Sequence, residues 1–181
     1  GVGRAAGHAQ EKKAFANAIR IGIARICVVS RSIRHPQFAI PAVLYFYQQT
    51  SANERLVRLE KMQPLCWVHI APPFNMAELE KISERLGVPM DFLTDSLDID
   101  ERARFEVEDD VKLIVINTPL LNESVTNEPT LYITVPIGII LTPQHVITLT
   151  AYDTPVMRPF VDGTLRALRT DDFSLFVLRI L

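Results

Sequence analysis

The sequence predicts an α/β (α+β) fold, and three observations support that class. Short segments rich in β-branched and aromatic residues recur along the chain, most clearly at residues 43–47 and 112–121. Residues 76–86 place apolar side chains at helical spacing between a capping residue and a glycine. Residues 131–151 contain no Asp, Glu, Lys or Arg, yet Pro136, Gly138 and Pro143 interrupt them, which favours buried strands over a membrane helix.

The first half of the domain is predicted to contain three strands followed by a helix. Asn75 is the expected N-cap of that helix, because Glu78 stands three residues later and completes a capping box. Gly87 is the expected C-terminal stop, since glycine adopts the left-handed conformation that ends many helices. The three strands are expected at residues 43–47, 56–59 and 66–70.

The second half is predicted to be mostly strand. Residues 103–107 alternate apolar with charged side chains, which indicates a strand with one solvated face. Residues 112–121 are almost continuously apolar, as in a central strand covered on both faces. The uncharged stretch then forms a hairpin of strands 131–141 and 146–150, and Thr170 is expected to cap a last helix over residues 171–181.

The charges of this chain are unevenly distributed although the net charge is only −2. Residues 1–42 carry seven basic residues and one acid, a net charge of +6, and the remainder carries twelve basic residues and twenty acids, a net charge of −8. We therefore expect residues 1–41 to be a basic N-terminal extension, poorly ordered or outside the core, and residues 42–181 to form the domain. The extension lacks interleaved aromatic residues, so no nucleic acid partner is expected.

The sequence contains none of the motifs that identify common enzymes. There is no glycine-rich phosphate loop, no G-x-S-x-G, no H-E-x-x-H and no C-x-x-C. The two cysteines, Cys27 and Cys66, lie far apart, which favours free thiols in a reducing compartment. We therefore expect no enzymatic activity and no catalytic residues.

The densest cluster of acids lies at residues 88–111, which hold nine of the twenty-one acids of the chain, opposed there only by Arg102 and Arg104. A short helix is predicted from Pro89 to about residue 97, because proline fits a first helical turn. Asp91, Asp95 and Asp98 stand at i, i+4 and i+7 and would share one face of that helix. Such a face is either simply solvated or a weak site for a hard divalent cation, since carboxylate oxygens suit Mg²⁺ and Ca²⁺.

Several segments in order along the chain resemble the N-terminal cytoplasmic domain of CorA-type magnesium (divalent metal ion) transporters. The most specific is the pattern L-x-D-x-L-D-x-x-E-R at residues 93–102 followed by an acidic turn, and the match runs from about residue 44 to residue 181. The segments that carry it are Trp67-Val-His-Ile, Ala77-Glu-Leu-Glu-Lys-Ile, Phe92-Leu-Thr-Asp-Ser-Leu-Asp-Ile-Asp-Glu-Arg102, Glu106-Val-Glu-Asp-Asp110, Thr134-Val-Pro-Ile-Gly-Ile-Ile-Leu141 and Val146-Ile-Thr148.

The resemblance implies a mixed, largely antiparallel sheet flanked by helices on both faces. It also implies a homopentamer at the cytoplasmic face of the cell inner membrane, held by C-terminal spans with a Gly-Met-Asn pore signature. This chain contains neither those spans nor the long stalk helix before them, so we expect a domain truncated at the start of that helix.

In the family, the position of Asp95 belongs to a regulatory divalent-cation site. The resemblance therefore makes Asp95 the candidate ligand of a low-affinity regulatory Mg²⁺, with Asp91 and Asp98 as weaker candidates. The residue before this position is often Glu in the family but is Thr94 here, which predicts weaker coordination. The implied function is sensing of intracellular Mg²⁺ through carboxylates of neighbouring subunits, which gates a Mg²⁺/Co²⁺ pore.

Two other functions are compatible with the same residues. The domain could instead be a soluble α/β interaction module whose acidic helix binds a basic protein; added salt would weaken that contact without a preference for Mg²⁺. A carboxylate metalloenzyme would require His69, His145 or further acids to converge on one pocket, and their positions in the sequence do not indicate this.

Overall fold

The apolar segments of the sequence form a seven-stranded sheet in the computed structural model, which describes residues 43–51, 54–122 and 132–181. The predicted extension, residues 1–41, lies outside the described residues, as does the boundary proposed at residue 42. The strands are β1 (Val43–Gln48), β2 (Val57–Leu59), β3 (Trp67–Ala71), β4 (Arg104–Glu108), β5 (Val111–Leu121), β6 (Tyr132–Leu141) and β7 (Val146–Leu149).

The strand order across the sheet is β2-β1-β3-β7-β6-β5-β4. Strands β3 and β7 pair in parallel, with Trp67 opposite Val146, and every other neighbouring pair is antiparallel. The long pairing of β5 with β6 runs from Lys112 opposite Leu141 to Leu121 opposite Tyr132. The predicted mixed, largely antiparallel sheet is therefore confirmed.

Four helices accompany this sheet among the described residues. The first, α1, has the predicted cap, because the Asn75 side chain accepts from the Glu78 backbone N–H at 2.9 Å. It ends at Gly87, whose positive φ of 63° is the left-handed conformation that favours glycine. The helices are α1 (Met76–Leu86), α2 (Met90–Asp95), α3 (Arg158–Val161) and α4 (Phe173–Ile180).

The two faces of the sheet bury different helices. On one face, an aromatic core surrounds Trp67, whose ring lies 4.8 Å from that of Tyr47 and 5.4 Å from that of Phe176 in α4. The opposite face receives α2, whose Phe92 and Leu93 are fully buried. Alternate residues of the strands supply both layers, which explains why β6 is buried on both faces.

The uncharged stretch forms the predicted hairpin of β6 and β7. Its turn is fixed by Thr142, whose hydroxyl accepts the backbone N–H of His145 at 3.0 Å. Across the described residues, no helix has both the length and the apolarity required to span a bilayer.

Two local predictions were wrong. The last helix is capped by Asp172, whose carboxylate accepts from the Leu175 N–H, whereas Thr170 is buried and bonds to Gln49. The apolar face predicted for the strand at residues 103–107 is not covered, since Phe105 is 63% exposed and Val107 51% exposed. Strand β4 lies at the edge of the sheet, where α2 contacts Arg104 but the side chains of Phe105 and Val107 stay uncovered.

Candidate functional site

Helix α2 carries the first two acids of the candidate site and is anchored by its apolar residues. Phe92 and Leu93 are buried against the sheet, while Asp91 on the other side is exposed. The helix ends at Asp95, earlier than predicted, so Asp98 lies in the turn that follows. The predicted arrangement of three carboxylates along one helical face is therefore not what the structure shows.

The end of α2 sits directly on strand β6 because Gly138 has no side chain. A Cβ added to Gly138 would lie 2.3 Å from the Cβ of Ser96. Ser96 follows Asp95 in the chain, is fully buried, and donates its hydroxyl to the Phe92 carbonyl at 2.6 Å. This close approach fixes the position of the last turn of the acidic helix relative to the sheet.

The three candidate ligands differ in their surroundings. Asp91 is exposed, and the side chain of Asp95 retains only 15% of its exposure. Asp98 is partly exposed, and its carboxylate accepts the backbone N–H of Asp100 at 3.0 Å, which shapes the turn. Of the three residues, Asp91 is the most exposed.

Arg104 lies at the centre of a group of carboxylates that the sequence prediction did not identify. Its Nη2 donates to Asp95 Oδ2 at 2.6 Å, and its Nε donates to Glu106 Oε2 at 3.0 Å. It also forms an ion pair with Glu101. A guanidinium presents several donors in a fixed plane, so one arginine can bind several carboxylates in this way.

The electrostatics of Asp95 reflect both burial and this partner. Burial raises the pKa of the Asp95 carboxyl, and the hydrogen bond from Arg104 offsets that effect in part. For Arg104, burial lowers the pKa, but the hydrogen bonds to Asp95 and Glu106 outweigh it and the net shift is upward. A divalent cation that binds Asp95 must therefore compete with a fixed positive charge.

Within the described part of the chain, no three His, Cys, Asp or Glu side chains converge in a way that could hold a metal ion. Thr94, the residue before Asp95, is buried and donates its hydroxyl to the carbonyls of Met90 and Asp91. A cation bound only by the carboxylates of α2 would retain most of its water ligands.

The side chains of His69 and Cys66, a candidate ligand and a candidate free thiol, both contact buried polar side chains. His69 Nδ1 lies 3.0 Å from the hydroxyl of Thr148, which also accepts the indole N–H of Trp67 at 2.8 Å. Burial lowers the pKa of His69 to about 4, so this histidine is neutral near neutral pH. Cys66 is buried, and its Sγ lies 3.6 Å from Nδ1 of His145. These contacts favour a structural role for both residues.

Two clefts open on the described surface, and each has charged residues in its wall. One, of about 340 Å³, opens beside the carboxyl ends of the parallel strands β3 and β7 and is lined by His69, Tyr152 and the Asp153–Arg158 ion pair, among others. The other, of about 460 Å³, lies between the end of α1 and the β4–β5 turn. The carboxylates of the second cleft are Glu84, Glu108, Asp109 and Asp110.

A protein-family model described as CorA-like Mg2+ transporter protein matches residues 62–181, which include α1, α2 and strands β3–β7. No curated protein matches the chain.

Two solved structures resemble the fold. The soluble domain of CorA from Methanocaldococcus jannaschii is 21% identical with a TM-score of 0.56, and the match covers 78% of this chain and 56% of that one. The complete CorA magnesium transporter from the same organism is also 21% identical, with a TM-score of 0.52, and the match covers 68% of this chain and 37% of that one. The chain therefore spans well under two thirds of either structure.

Proposed function

This chain belongs to the CorA-like Mg²⁺ transporter family, and from that premise we propose that it is the cytoplasmic regulatory domain of a divalent-cation transporter. In this proposal the transporter carries Mg²⁺ or Co²⁺, assembles as a homopentamer and lies in the cell inner membrane with this domain on the cytoplasmic side. The domain senses intracellular Mg²⁺ through carboxylates at subunit contacts and gates the pore. The observation that carries the proposal is the family match over residues 62–181, which contain the acidic helix.

The acidic helix is suited to a site shared between subunits. Asp91 is exposed and Asp95 lies one turn further along α2, so one protomer offers one open and one partly buried carboxylate. Mg²⁺ keeps several water ligands and accepts one or two carboxylates, so it can bridge such a sparse surface to acids of a neighbour. Without the cation, facing carboxylates repel each other and the ring loosens.

Arg104 provides a physical reason for low affinity in this proposal. Its ion pair with Asp95 neutralises part of the negative charge that would attract Mg²⁺. Binding through Asp95 therefore requires the cation either to displace the guanidinium or to share the carboxylate with it. Either step makes the site respond only when the concentration of Mg²⁺ is high, as a sensor of cytosolic Mg²⁺ requires.

The test is protection from proteolysis by Mg²⁺ in the full-length transporter that contains this domain. We expect Mg²⁺ to slow cleavage of the unmodified protein, and we expect Asp91→Asn and Asp95→Asn each to raise the Mg²⁺ concentration needed for protection. Glu80→Gln is the matched control, because Glu80 is an exposed acid on α1 and does not lie on the acidic helix.

Asn keeps the shape of Asp and can still accept a hydrogen bond from Arg104, so a change in protection reports the charge. Thermal unfolding of each variant without Mg²⁺ identifies any general loss of stability. If both variants retain the Mg²⁺ dependence of the unmodified protein, the acidic helix is not the sensor. If Mg²⁺ does not protect the unmodified protein, regulation by intracellular Mg²⁺ is refuted.

A second function, a soluble interaction module that binds a basic protein, is favoured by one specific observation. The cleft beside α1 presents four exposed carboxylates, those of Glu84, Glu108, Asp109 and Asp110. In that case, binding of the partner weakens equally in NaCl and in MgCl₂ of the same ionic strength. A Mg²⁺-specific response at constant ionic strength excludes this alternative.

A further inference from the structure

Strand β4 leaves one edge of the described sheet unpaired. It stands last in the strand order and pairs with β5 on one side only. Its apolar side chains are also exposed, with Phe105 at 63% and Val107 at 51%. An exposed edge strand with apolar residues is a template on which another strand can pair.

The charges of this segment are arranged symmetrically about Phe105. Arg102 and Arg104 precede it at alternate positions, and Glu106 and Glu108 follow it at alternate positions. Charged residues on an edge strand usually oppose pairing with another copy. Here the basic half and the acidic half are mirror-related in position, so an antiparallel copy places opposite charges across from each other.

We propose that β4 pairs with β4 of a second copy of this chain about a twofold axis at Phe105. In this register Phe105 lies opposite Phe105 of the other copy, and Arg104 lies opposite Glu106, which also accepts from Arg104 within each strand. Extending β4 by the two residues before it places Arg102 opposite Glu108. Ala103 faces Val107 on the apolar side. Antiparallel strands bring directly opposite side chains within contact distance, so each ion pair and the Ala103–Val107 pair form twice and the Phe105–Phe105 pair forms once.

The neighbouring registers are less favourable. Centring the pair on Glu106 places two glutamates opposite each other, and centring it on Arg104 places two arginines opposite each other. A shift by one residue would place apolar side chains opposite charged ones on the wrong face. The sequence of charges thus specifies one register for a pair of identical strands.

The contact is separate from the proposed pentameric ring, because a twofold contact cannot form part of a fivefold ring. It therefore joins domains of different assemblies, or domains on their own, and does not depend on the proposed Mg²⁺ sensing. Since it adds one short strand pair, it buries little surface, and we expect weak, concentration-dependent dimers.

The first test measures the dimerisation of the 181-residue chain by sedimentation over a wide range of concentrations. Arg102→Glu and Glu108→Arg each place like charges opposite each other at two symmetry-related positions, and we expect each to weaken the dimer roughly tenfold or more. The double variant restores opposite charges and should return the dissociation constant to near that of the unmodified chain. Lys61→Glu, an exposed charge reversal away from β4, should have no effect.

The second test determines the register by cross-linking in a Cys27→Ser background, in which buried Cys66 is retained. A cysteine at position 105 faces its own copy across the twofold axis, so Phe105→Cys should form a disulfide-linked dimer under mild oxidation. Val107→Cys faces Ala103 of the other copy and should link much more slowly. A chain that is monomeric at all concentrations overturns the proposal, as does a dimer insensitive to the charge reversals or one that links equally well at both positions.

Discussion

The substitution Gly138→Ala tests the close seating of the acidic helix on the sheet. Gly138 pairs with Val115 of β5 and Leu149 of β7 in the middle of the sheet, where alanine is at least as compatible with the strand backbone as glycine. Any loss of stability therefore comes from the added methyl group. That group would lie 2.3 Å from Ser96 Cβ, whereas two carbon atoms normally approach to about 3.5–4.0 Å.

The size of the expected destabilisation follows from this distance, because the two carbon atoms would be more than about 1 Å too close. Relief requires α2 or β6 to move, because both Ser96 and Gly138 are buried and Ser96 Cβ is fixed to its backbone. Overpacking of this kind costs about 1–3 kcal/mol, and we expect the upper part of that range, about 3 kcal/mol. For a domain of this size the midpoint of thermal unfolding, Tm, should fall by roughly 6–12 °C.

The assay is thermal unfolding followed by the fluorescence of Trp67, the only tryptophan of the chain and a fully buried residue. Ser96→Gly removes the two closest atoms and leaves Leu149 Cδ2 at 3.0 Å. Gly138→Ala should therefore lower the Tm much less in the Ser96→Gly background than in the unmodified chain. Gly163→Ala is the control: it introduces strain through a positive φ of 64° but meets no atom within 4 Å. Ser96→Gly should not rescue it. A Tm for Gly138→Ala equal to that of the unmodified chain would refute the close contact.

Three further predictions concern buried polar groups and the arginine cluster. Folding lowers the pKa of His69 from 6.5 to about 4, so the unfolded chain binds a proton at this residue more readily than the folded chain. The free energy of unfolding, measured by urea titration, should therefore fall by up to about 3 kcal/mol as the pH drops from 6.5 to 4. His69→Gln should remove most of this pH dependence. Thr148→Val keeps the shape of the side chain but leaves the Trp67 indole N–H and His69 Nδ1 without their partner, which should cost about 2–4 kcal/mol in the same assay. Arg104→Gln removes the positive charge that pairs with Asp95 and two further carboxylates. We expect the free energy of unfolding to fall by about 1–2 kcal/mol and added Mg²⁺ to restore it. If the Tm of this variant responds to Mg²⁺ no more than that of the unmodified chain, Arg104 and the cation do not compete.

Local features of the fold were predictable because they depend on neighbouring residues. The cap at Asn75 and the stop at Gly87 depend on side chains and backbone conformations within one turn of helix, and both are confirmed. The hairpin of β6 and β7 follows from two apolar runs around the turn at residues 142–145. The class of the sheet, mixed and largely antiparallel, came from the resemblance to the CorA family and is also confirmed.

The features that the sequence could not reveal depend on residues brought together only by folding. The eight residues between Asp95 and Arg104 form a turn and an irregular segment before β4, so their separation gave no sign of a 2.6 Å ion pair. Likewise, a strand that alternates apolar and charged residues is expected to bury one face. Strand β4 lies at the margin of the sheet, and its Phe105 and Val107 side chains stay exposed although α2 contacts Arg104. Whether Asp91, Asp95 and Asp98 bind a cation stays a prediction.

The absence of a side chain at Gly138 also determines how motion could travel through this domain. Elsewhere, helices and sheet are separated by a layer of side chains that can change rotamer and absorb small displacements. At Ser96 that compliant layer is missing, so a shift of the acidic helix must carry strand β6 with it. Force applied at this helix would reach the centre of the sheet as rigid-body movement.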